Sequence, residues 1–508
     1  MPILVLPVLS GILAWASFPT MNRGYLAWAA LLPLILYMIR VKTAGRAFLG
    51  GWVAGTFQFL GLLYWVPQVL SHYGGLPVYG AWGLFVLLAA ALGCFPAAAC
   101  ALTRHCMNRG GSRFLFVFPP AWVALEYLRG LIPFGGFPWL LFGYSQTDFP
   151  PLVQIADLIG VYGVSFLIVW INVVLAWFLF SGEQRWRRSA PLALGGLLLA
   201  ASLIYGTAAL NRWNQIQPQH RVALLQSNLT IDDPQEMLSR KYRQGYLEMA
   251  DRLPSKDVDL LVLPESPSPL FYHQDGDYRE TMKGLARRFP LGLIFNNVRF
   301  RDMAGAPVYF NSAFFLDGNG KELGIYDKMH LVPFGEYIPW PKIFFFSETI
   351  SRDVGNFHPG EDHLTVPLAG RPANVLICFE AIFPDLSRAF VRKGSELIIN
   401  LTNDAWYGDT SAPYQHLAMA RWRAVESRRY LLRAANSGIS AIIAPSGKIE
   451  VETGLLREDA AVGGFSFLRG MTFYVRYGWI FPILCVVISL LVLFRSRMGK
   501  AKPAEIHQ

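Results

Sequence analysis

Eight apolar segments constrain this chain more than any other feature of its sequence. Each approaches the roughly 20 mostly apolar residues that a helix needs to cross a bilayer. They run near residues 3–19, 24–39, 48–70, 78–103, 114–128, 158–180, 191–210 and 477–494. Charged residues make up only 16% of the 508 residues, against about 25% in typical soluble domains. The sequence therefore predicts a polytopic α-helical membrane bundle of about eight spans.

The first apolar segment has an alternative interpretation as a cleaved signal peptide. Ala14-Trp15-Ala16 matches the small-residue pattern of a cleavage site. No Lys or Arg precedes the apolar run, however, and a signal peptide needs such a positively charged region. We therefore expect the segment to be retained as the first span.

Basic residues orient the predicted bundle, because Lys and Arg concentrate in the cytoplasmic loops of membrane proteins. With the N-terminus in the cytoplasm, the short outside loops hold only Arg23 and Arg129. The inside loops and the tail hold the larger set: Arg40, Lys42, Arg46, Arg104, Arg109, Arg113, Arg185, Arg187, Arg188, Arg495, Arg497, Lys500 and Lys502. This asymmetry predicts an inner-membrane protein with both termini cytoplasmic. It also accounts for much of the net charge of +10, so we expect no nucleic-acid partner.

The predicted topology divides the chain into three parts. Residues 1–210 would form a transmembrane bundle of seven spans, with few acidic residues. Residues 211–475 have the mixed composition of a globular domain, and the orientation places them in the periplasm of a two-membrane bacterium. Residues 476–508 would form the eighth span and a cytoplasmic tail.

One predicted outside loop, residues 132–152, is dense in Gly, Pro and aromatic residues. It fits an interfacial aromatic belt. It equally fits a re-entrant wall of a lipid-facing cavity, where surrounding protein makes irregular backbone tolerable.

The globular part alternates strand-like apolar runs with amphipathic, helix-like stretches. The strand-like runs are 221–229, 258–266, 291–300, 311–320, 374–381, 396–404 and 439–447, and the helix-like stretches are 234–253 and 414–435. Asp317-Gly318-Asn319-Gly320 is a hairpin-turn sequence. This pattern predicts an α/β layered domain. Glu265, Cys378, Asn403 and Asp404 follow strand ends, where open α/β sheets place their chemistry.

Glu265, Lys328 and Cys378 make chemical sense as a group. Taken singly, they would be a surface carboxylate, a solvated loop lysine and an inert buried thiol. Together, a carboxylate can take the thiol proton as the sulfur attacks, and an ammonium can stabilise the resulting oxyanion. Glu336 can hold Lys328 or help to relay the proton. The Phe379 amide can serve as a second oxyanion donor.

Two further features near this group have structural interpretations. We expect Glu380 to be a buried acid that pairs with Arg or with backbone N–H groups. Residues 338–350 contain three consecutive phenylalanines, Phe344–Phe346. They suggest either a buried core element or an aromatic flap that dips into the bilayer beside Cys378.

In chain order, Glu265, Lys328 and Cys378 resemble the Glu-Lys-Cys triad of the nitrilase, or carbon-nitrogen hydrolase, superfamily. The flanking sequences are similar to those of the bacterial apolipoprotein N-acyltransferases across essentially the whole chain. They are YDKMHLVPFGEYIPW (326–340), TNDAWYG (402–408), PYQHLAMARWRAVESRRYLLRAANSGISA (413–441) and GGFPWLLFGYSQ (135–146). The chain departs from the family pattern at Phe379, where a tyrosine is common.

The resemblance implies a nitrilase-like αββα sandwich and an enzyme that moves an acyl chain from a phospholipid to the N-terminal amine of a diacylglyceryl apolipoprotein. Glu265 would be the base, Lys328 the charge stabiliser and Cys378 the nucleophile. Glu336, Phe379, Glu380, Trp406 and Tyr407 would support the site.

The same resemblance implies the molecules that meet this chain. Its partners would be the phospholipid donor, the apolipoprotein acceptor and the bilayer. We expect a monomer, and we expect no cofactor because the sequence has no metal or nucleotide motif. The competing interpretations are a membrane-tethered amidase, which would need one span rather than eight, and a transporter. The transporter would need an internal repeat or a buried ion pair, for which Glu126 and Arg129 are the candidates.

Overall fold

The computed structural model describes residues 4–230, 233–253, 257–265, 268–303, 306–340 and 357–498. Close contacts divide the chain into two compact units. The first comprises Met1–Ser71, Leu76–Leu210 and Tyr477–Gln508, and the second comprises His72–Gly75 and Asn211–Arg476. The predicted flap at 338–350 falls mostly outside the described residues, and Phe344–Phe346 lie wholly outside them.

The first unit is helical. Its α-helices are α1 Val5–Ala16, α2 Ala27–Ala30, α3 Leu32–Arg40, α4 Ala44–Leu62, α5 Val66–His72, α6 Val78–Gly110, α7 Phe118–Arg129, α8 Pro150–Val153, α9 Ala156–Phe180, α10 Arg185–Trp213 and, after the second unit, α17 Ile480–Met498.

Among the described residues, three helical stretches are long and apolar enough to cross a membrane. They are Val78–Gly110, Ala156–Phe180 and Trp186–Trp213. Helices α4 and α5 together form a further candidate that is bent by 58°. The apolar helices Val5–Ala16, Gly24–Arg40 and Ile480–Ser496 are shorter than 18 residues. The structure thus supports membrane-spanning character, and the eight-span topology stays a prediction.

Small residues allow α4 and α6 to pack closely. A Cβ atom added to Gly51 would lie 2.7 Å from the Cα atom of Ala97, and one added to Gly55 would lie 2.8 Å from that of Gly93. Gly51 and Gly55 are four residues apart, so they lie on one face of α4. Close backbone approach through small residues is the usual basis of helix packing in membranes.

The middle of the aromatic loop 132–152 is buried within the first unit. Trp139 and the 3-10 turn Phe142–Gln146 are almost fully enclosed. The Phe142 amide donates to Glu126 Oε1 at 2.7 Å, and Arg129 Nη1 donates to the carbonyls of Phe137 and Trp139 at 2.9 Å each. Side chains of α7 therefore form hydrogen bonds with the polar backbone groups of an irregular segment that is surrounded by protein. The re-entrant interpretation requires such bonds. A lipid-facing cavity at this loop stays a prediction.

The second unit contains two six-stranded sheets. The first has the order β12-β1-β2-β3-β4-β5 and the second β11-β10-β9-β8-β7-β6. The strands are β1 His220–Gln226, β2 Leu260–Val262, β3 Gly292–Met303, β4 Ala306–Leu316, β5 Glu322–Asp327, β6 Val366–Leu368, β7 Arg371–Ile377, β8 Leu397–Thr402, β9 Leu431–Ala435, β10 Ala441–Ile443, β11 Ile449–Glu452 and β12 Asp459–Phe465.

The two sheets face each other and helices cover them. β1 contacts β9, β4 contacts β7, and β10 contacts β12. The helices are α11 Gln235–Arg240, α12 Tyr246–Asp251, α13 Gly276–Ala286, α14 Pro384–Arg392, α15 Ala412–Ser427 and α16 Phe473–Tyr477. Apolar side chains of α11, α12 and α13 share one buried core with those of β1, β2, β3 and β4, and α15 packs on β9. The predicted α/β layered domain is confirmed.

Each predicted strand overlaps an observed one, and the Asp317–Gly320 turn joins β4 to β5. The predicted helix 414–435 is wrong in its last third. Helix α15 ends at Ser427, where Arg428 adopts a left-handed conformation with φ 53° and ψ 53°. Leu431–Ala435 then forms β9, which is parallel to β8 and antiparallel to β10. A short and mostly apolar segment fits either a helix or a strand, and pairing on both edges selects the strand here.

Candidate active site

Cys378 begins a 3-10 turn at the end of β7. The strand before it, Arg371–Ile377, is apolar and buried toward its end, and it pairs in parallel with β8. The turn Cys378–Ile382 follows at once. Cys378 itself has φ 51° and is only 7% exposed. A non-glycine residue in this left-handed region is strained, and such residues cluster at functional sites.

Glu380 ties this turn to the segment that carries Lys328. Its Oε2 accepts from the Ile377 amide at 2.7 Å. Its Oε1 accepts from the Tyr326 hydroxyl at 2.8 Å and from the amides of Met329 and His330 at 2.7 and 3.1 Å. The buried acid with backbone N–H partners is as predicted. Burial raises the pKa of Glu380 to about 7, against the hydrogen bonds that favour its ionised form.

Lys328 follows β5 and is buried, with a relative exposure of 1%. Its Nζ donates to Glu336 Oε1 at 2.9 Å and lies 3.7 Å from Glu265 Oε1. Burial lowers the pKa of Lys328, but the carboxylates of Glu336 and Glu265 outweigh that effect and raise it above its ordinary value. The side chain is therefore a paired, buried ammonium rather than the solvated lysine that a loop position suggests.

Glu265 lies just beyond β2 and is held on both oxygens. Its Oε1 accepts from Asn311 Nδ2 at 2.9 Å, and its Oε2 accepts from the Asn403 amide at 3.0 Å. Burial raises the pKa of Glu265 above its ordinary value, while Lys328, Asn311 and a hydrogen bond with the Cys378 side chain act in the opposite direction. The carboxyl of Glu265 and the thiol of Cys378 therefore interact within one buried site.

Asn311 was not predicted, and it joins the two carboxylates of the site. From β4, its Nδ2 donates to Glu336 Oε1 at 2.8 Å as well as to Glu265. Glu336 Oε2 accepts from the Val332 amide at 2.8 Å. The available signal was a polar residue within the apolar run of 306–316. That signal says nothing about its partners, because they come from distant parts of the chain.

The thiol of Cys378 is neutral in this environment. Burial and the Glu265 carboxylate raise its pKa, and Lys328 opposes them only in part. A neutral thiol beside a carboxylate that can take its proton is an arrangement for nucleophilic catalysis with general-base assistance.

The remaining predicted site residues lie around the same turn or beside it. The Phe379 ring packs edge-on against Phe383 at 5.2 Å. Burial raises the pKa of Tyr407, and the carboxylates of Asp404 and Glu265 act in the same direction, so its hydroxyl lies within the electrostatic field of the site. Trp406 belongs to the 3-10 turn Asp404–Tyr407, and its ring packs against that of Tyr73 at 4.8 Å. The structure thus brings Glu265, Lys328, Cys378, Glu336 and Glu380 together and places the aromatic residues at their edge.

Comparison with known proteins assigns both parts of the chain. Residues 10–174 match the apolipoprotein N-acyltransferase N-terminal domain, and residues 221–463 match the carbon-nitrogen hydrolase family. An apolipoprotein N-acyltransferase of Geobacter metallireducens is 39% identical, over 96% of this chain and 94% of the relative. Those of Methylococcus capsulatus and Bradyrhizobium diazoefficiens are each 34% identical. They cover 100% and 93% of this chain, and 98% and 91% of the relatives. The chain therefore belongs to the apolipoprotein N-acyltransferase family of enzymes, within the carbon-nitrogen hydrolase superfamily.

Proposed function

We propose that this enzyme transfers an acyl chain from a membrane phospholipid to the N-terminal amine of a diacylglyceryl-cysteine on apolipoproteins, with an acyl thioester on Cys378 as the intermediate. The observation that carries the proposal is that Cys378, buried and held in a left-handed backbone conformation, shares one site with Glu265, which lies 3.7 Å from the Lys328 ammonium. The donor, the acceptor and the intermediate follow from family membership and from the chemistry of a thiol at this site.

In the first half-reaction, Glu265 takes the proton from the Cys378 thiol as the sulfur attacks an ester carbonyl of the phospholipid. The oxyanion that develops is stabilised by the Lys328 ammonium and by the Phe379 amide. The carbon–oxygen bond of the ester then breaks, and Glu265 returns the proton to the departing glycerol oxygen. The products are the thioester and a lysophospholipid.

In the second half-reaction, the amine of the lipid-modified cysteine attacks the thioester. Glu265 takes a proton from the attacking amine, the carbon–sulfur bond breaks, and the proton returns to the Cys378 sulfur. One thiol thus serves two substrates in turn, which gives ping-pong kinetics. Glu336 keeps Lys328 in place throughout, through the 2.9 Å hydrogen bond between them.

The membrane setting of the proposal includes eight spans, a catalytic domain of residues 211–475 in the periplasm and both termini in the cytoplasm. Residues 1–210 would hold seven spans, and residues 476–508 the eighth span and the tail. The apolar helices and the distribution of Lys and Arg support this topology. A catalytic domain beside the bilayer gives a thioester access to lipid and limits its loss to water.

The experiment is to incubate the purified full-length protein with phospholipid labelled in its acyl chains and to follow label bound covalently to protein. We expect wild-type protein to retain label that neutral hydroxylamine releases, as a thioester requires, and Cys378→Ala to retain none. Cys94→Ala, which removes an exposed cysteine of the first unit, is the matched control and should label normally. Equal labelling of wild type and Cys378→Ala would refute the proposal.

Cys378→Ser gives a second test of the same intermediate. A serine hydroxyl is much harder to ionise than a thiol, so labelling should be slow. Any label that does attach should resist neutral hydroxylamine, because it would be an oxygen ester. Label that hydroxylamine releases equally from Cys378→Ser would place the acyl group on another residue.

A further inference from the structure

The backbone of Cys378 is held from both sides by buried groups. Its φ of 51° is unfavourable for a residue with a side chain, and strain of this kind persists only where the surroundings impose it. On the N-terminal side, the Ile377 amide donates to Glu380. On the C-terminal side, the carbonyl of Cys378 lies 3.1 Å from His416 Nε2. Neither the sequence nor the proposed reaction gives this histidine a role.

His416 lies on α15, has no exposed surface and connects two elements of the site. Its Nδ1 is 3.0 Å from Asp404 Oδ1, and its Nε2 faces the Cys378 carbonyl oxygen. A carbonyl oxygen can only accept a hydrogen bond. The contact therefore requires a proton on Nε2, so His416 donates to the peptide of Cys378.

Two forms of the ring carry a proton on Nε2: the charged form and the neutral tautomer with hydrogen on Nε2. Burial and the Arg433 guanidinium lower the pKa of His416, while Asp404 opposes them. In the neutral form with hydrogen on Nε2, Nδ1 can accept from Arg433 Nη2, which lies 3.3 Å away. In the charged form, Nδ1 donates to Asp404 instead. Nε2 keeps its proton and its contact with Cys378 in both forms.

A buried ion pair fixes the position of the ring. Arg433 on β9 donates to Asp404 Oδ2 at 2.6 Å and also bonds Asn400 on β8. Asp404 accepts in addition from the Thr402 hydroxyl at 3.2 Å. Asp404 and Arg433 are buried, and a fully bonded buried network of this kind is rigid. It extends from the middle of the second sheet through His416 to the Cys378 peptide.

We infer that His416 is a positioning residue, which links the Asp404–Arg433 ion pair to the Cys378 carbonyl and thereby holds the thiol where Glu265 and Lys328 can act on it. The inference rests on the proposed role of Cys378 as the nucleophile. His416 touches neither the acyl chain nor the reacting atoms. Its contribution is to the geometry of attack, and it should therefore affect the rate of acylation rather than the binding of phospholipid.

The test compares two amide substitutions in the full-length enzyme. The amide nitrogen of His416→Gln can reach the position of Nε2 and donate to Cys378. The shorter side chain of His416→Asn places its amide near Nδ1 and leaves the carbonyl without a donor. The measurement is the first-order rate of acyl-enzyme formation over a range of labelled phospholipid concentrations. A displacement of about 1 Å can slow a reaction about 100-fold, so we expect a loss of that order in His416→Asn, with an unchanged half-saturating concentration and substantial recovery in His416→Gln.

Ser395→Ala provides the control for the loss of a buried hydrogen bond. The Ser395 hydroxyl donates to Asn374 Oδ1 at 2.6 Å, near the other end of β7 and β8. This variant should lose thermal stability and keep its acylation rate. The inference is overturned if His416→Asn acylates as fast as Ser395→Ala, or if His416→Gln is as slow as His416→Asn. Labelling of Cys378→Ala, by contrast, would overturn the proposed nucleophile and would be seen independently of these variants.

Discussion

At the scale of single residues, the site is a set of charges that keep one another in place. The Lys328 ammonium lies between the carboxylates of Glu336 and Glu265, at 2.9 and 3.7 Å. Asn311 donates to both carboxylates. An ammonium buried without such partners would lose its proton, and two neighbouring carboxylates without it would repel each other. Removing any one of these groups should therefore change the ionisation of the others.

Replacing Lys328 with arginine should nearly abolish acylation. The lysine is buried and its compact ammonium lies between two carboxylates, and a planar guanidinium does not replace it. Loss of one oxyanion donor costs about 100- to 1,000-fold in rate, and we expect a decrease of that size in acyl-enzyme formation. Lys283→Arg, at a surface ion pair with Glu280, should retain the wild-type rate. Equal rates for the two variants would exclude Lys328 from the reaction.

The rate of acylation should depend on pH through Glu265. As the base, Glu265 must be ionised. Acylation should therefore be fast above the pKa of Glu265 in the folded enzyme and should slow as the pH falls through that pKa. Because burial raises the pKa of Glu265, the rate should fall at a higher pH than it would for an ordinary glutamate, whose pKa is about 4.3. Asn311→Asp adds a third carboxylate to the two of Glu265 and Glu336. It should therefore move the fall in rate to a still higher pH. The pH–rate profiles of acyl-enzyme formation by the wild type and by Asn311→Asp check these two expectations. A wild-type rate that stays constant down to about pH 4.3 would contradict the assignment of Glu265 as the base.

The sequence singled out Glu265 and Cys378 because each follows a strand-like run, and Lys328 because it lies in a segment, 326–340, that resembles the family. It did not find Asn311, His416 or Arg433. Asn311 reaches Glu336 only through the path of the loop after β5, and Arg433 meets Asp404 only after β8 and β9 pair. Contacts of this kind depend on strand register and helix placement, and neither leaves a local pattern in the sequence.

At the scale of elements, the strand predictions rested on buried apolar runs that end in polar residues, and every one of them overlaps an observed strand. The prediction for 414–435 failed because no glycine or proline marks the end of α15. Arg428, a residue that rarely adopts positive φ, takes the left-handed position instead. Leu431–Ala435 gains a strand's hydrogen bonds only from neighbours that are distant in sequence.

The packing of α4 on α6 gives a prediction at the same scale. A methyl group at Gly51 would meet the Ala97 backbone at 2.7 Å, whereas one at Gly45 would meet nothing within 4 Å. Gly51→Ala should therefore be destabilised by overpacking, by about 1–3 kcal/mol. Gly45→Ala, in the same helix, should be neutral or slightly stabilised because alanine favours a helix. Thermal unfolding of the two proteins in one detergent compares them, and equal unfolding temperatures would argue against the close approach of α4 and α6.

At the scale of the whole molecule, the distribution of charge predicts which side of the membrane each part occupies. Among the loops that connect the apolar segments, Lys and Arg are concentrated on the side assigned to the cytoplasm, and the second unit carries most of the acidic residues. The lengths of the helices do not decide the number of spans, because several apolar segments are broken or bent in the structure. Segment length in the sequence could not reveal those breaks.

Cysteine accessibility tests this orientation. Arg457 has a side chain that is 62% exposed in the second unit, and Lys42 is exposed between α3 and α4. In a background that lacks Cys94 and Cys378, a membrane-impermeant maleimide should label Arg457→Cys in intact spheroplasts. Lys42→Cys should react only after the membrane is permeabilised. The reverse pattern would invert the proposed topology.

The most direct test of the account is mass spectrometry of the acyl-enzyme isolated after reaction with phospholipid. We predict one acyl group on the peptide that contains Cys378, and its complete transfer to the amine of an added diacylglyceryl-cysteine peptide, with the free thiol restored. An acyl group on any other residue, or one on Cys378 that water removes but the amine cannot accept, would contradict the thioester as the intermediate of transfer.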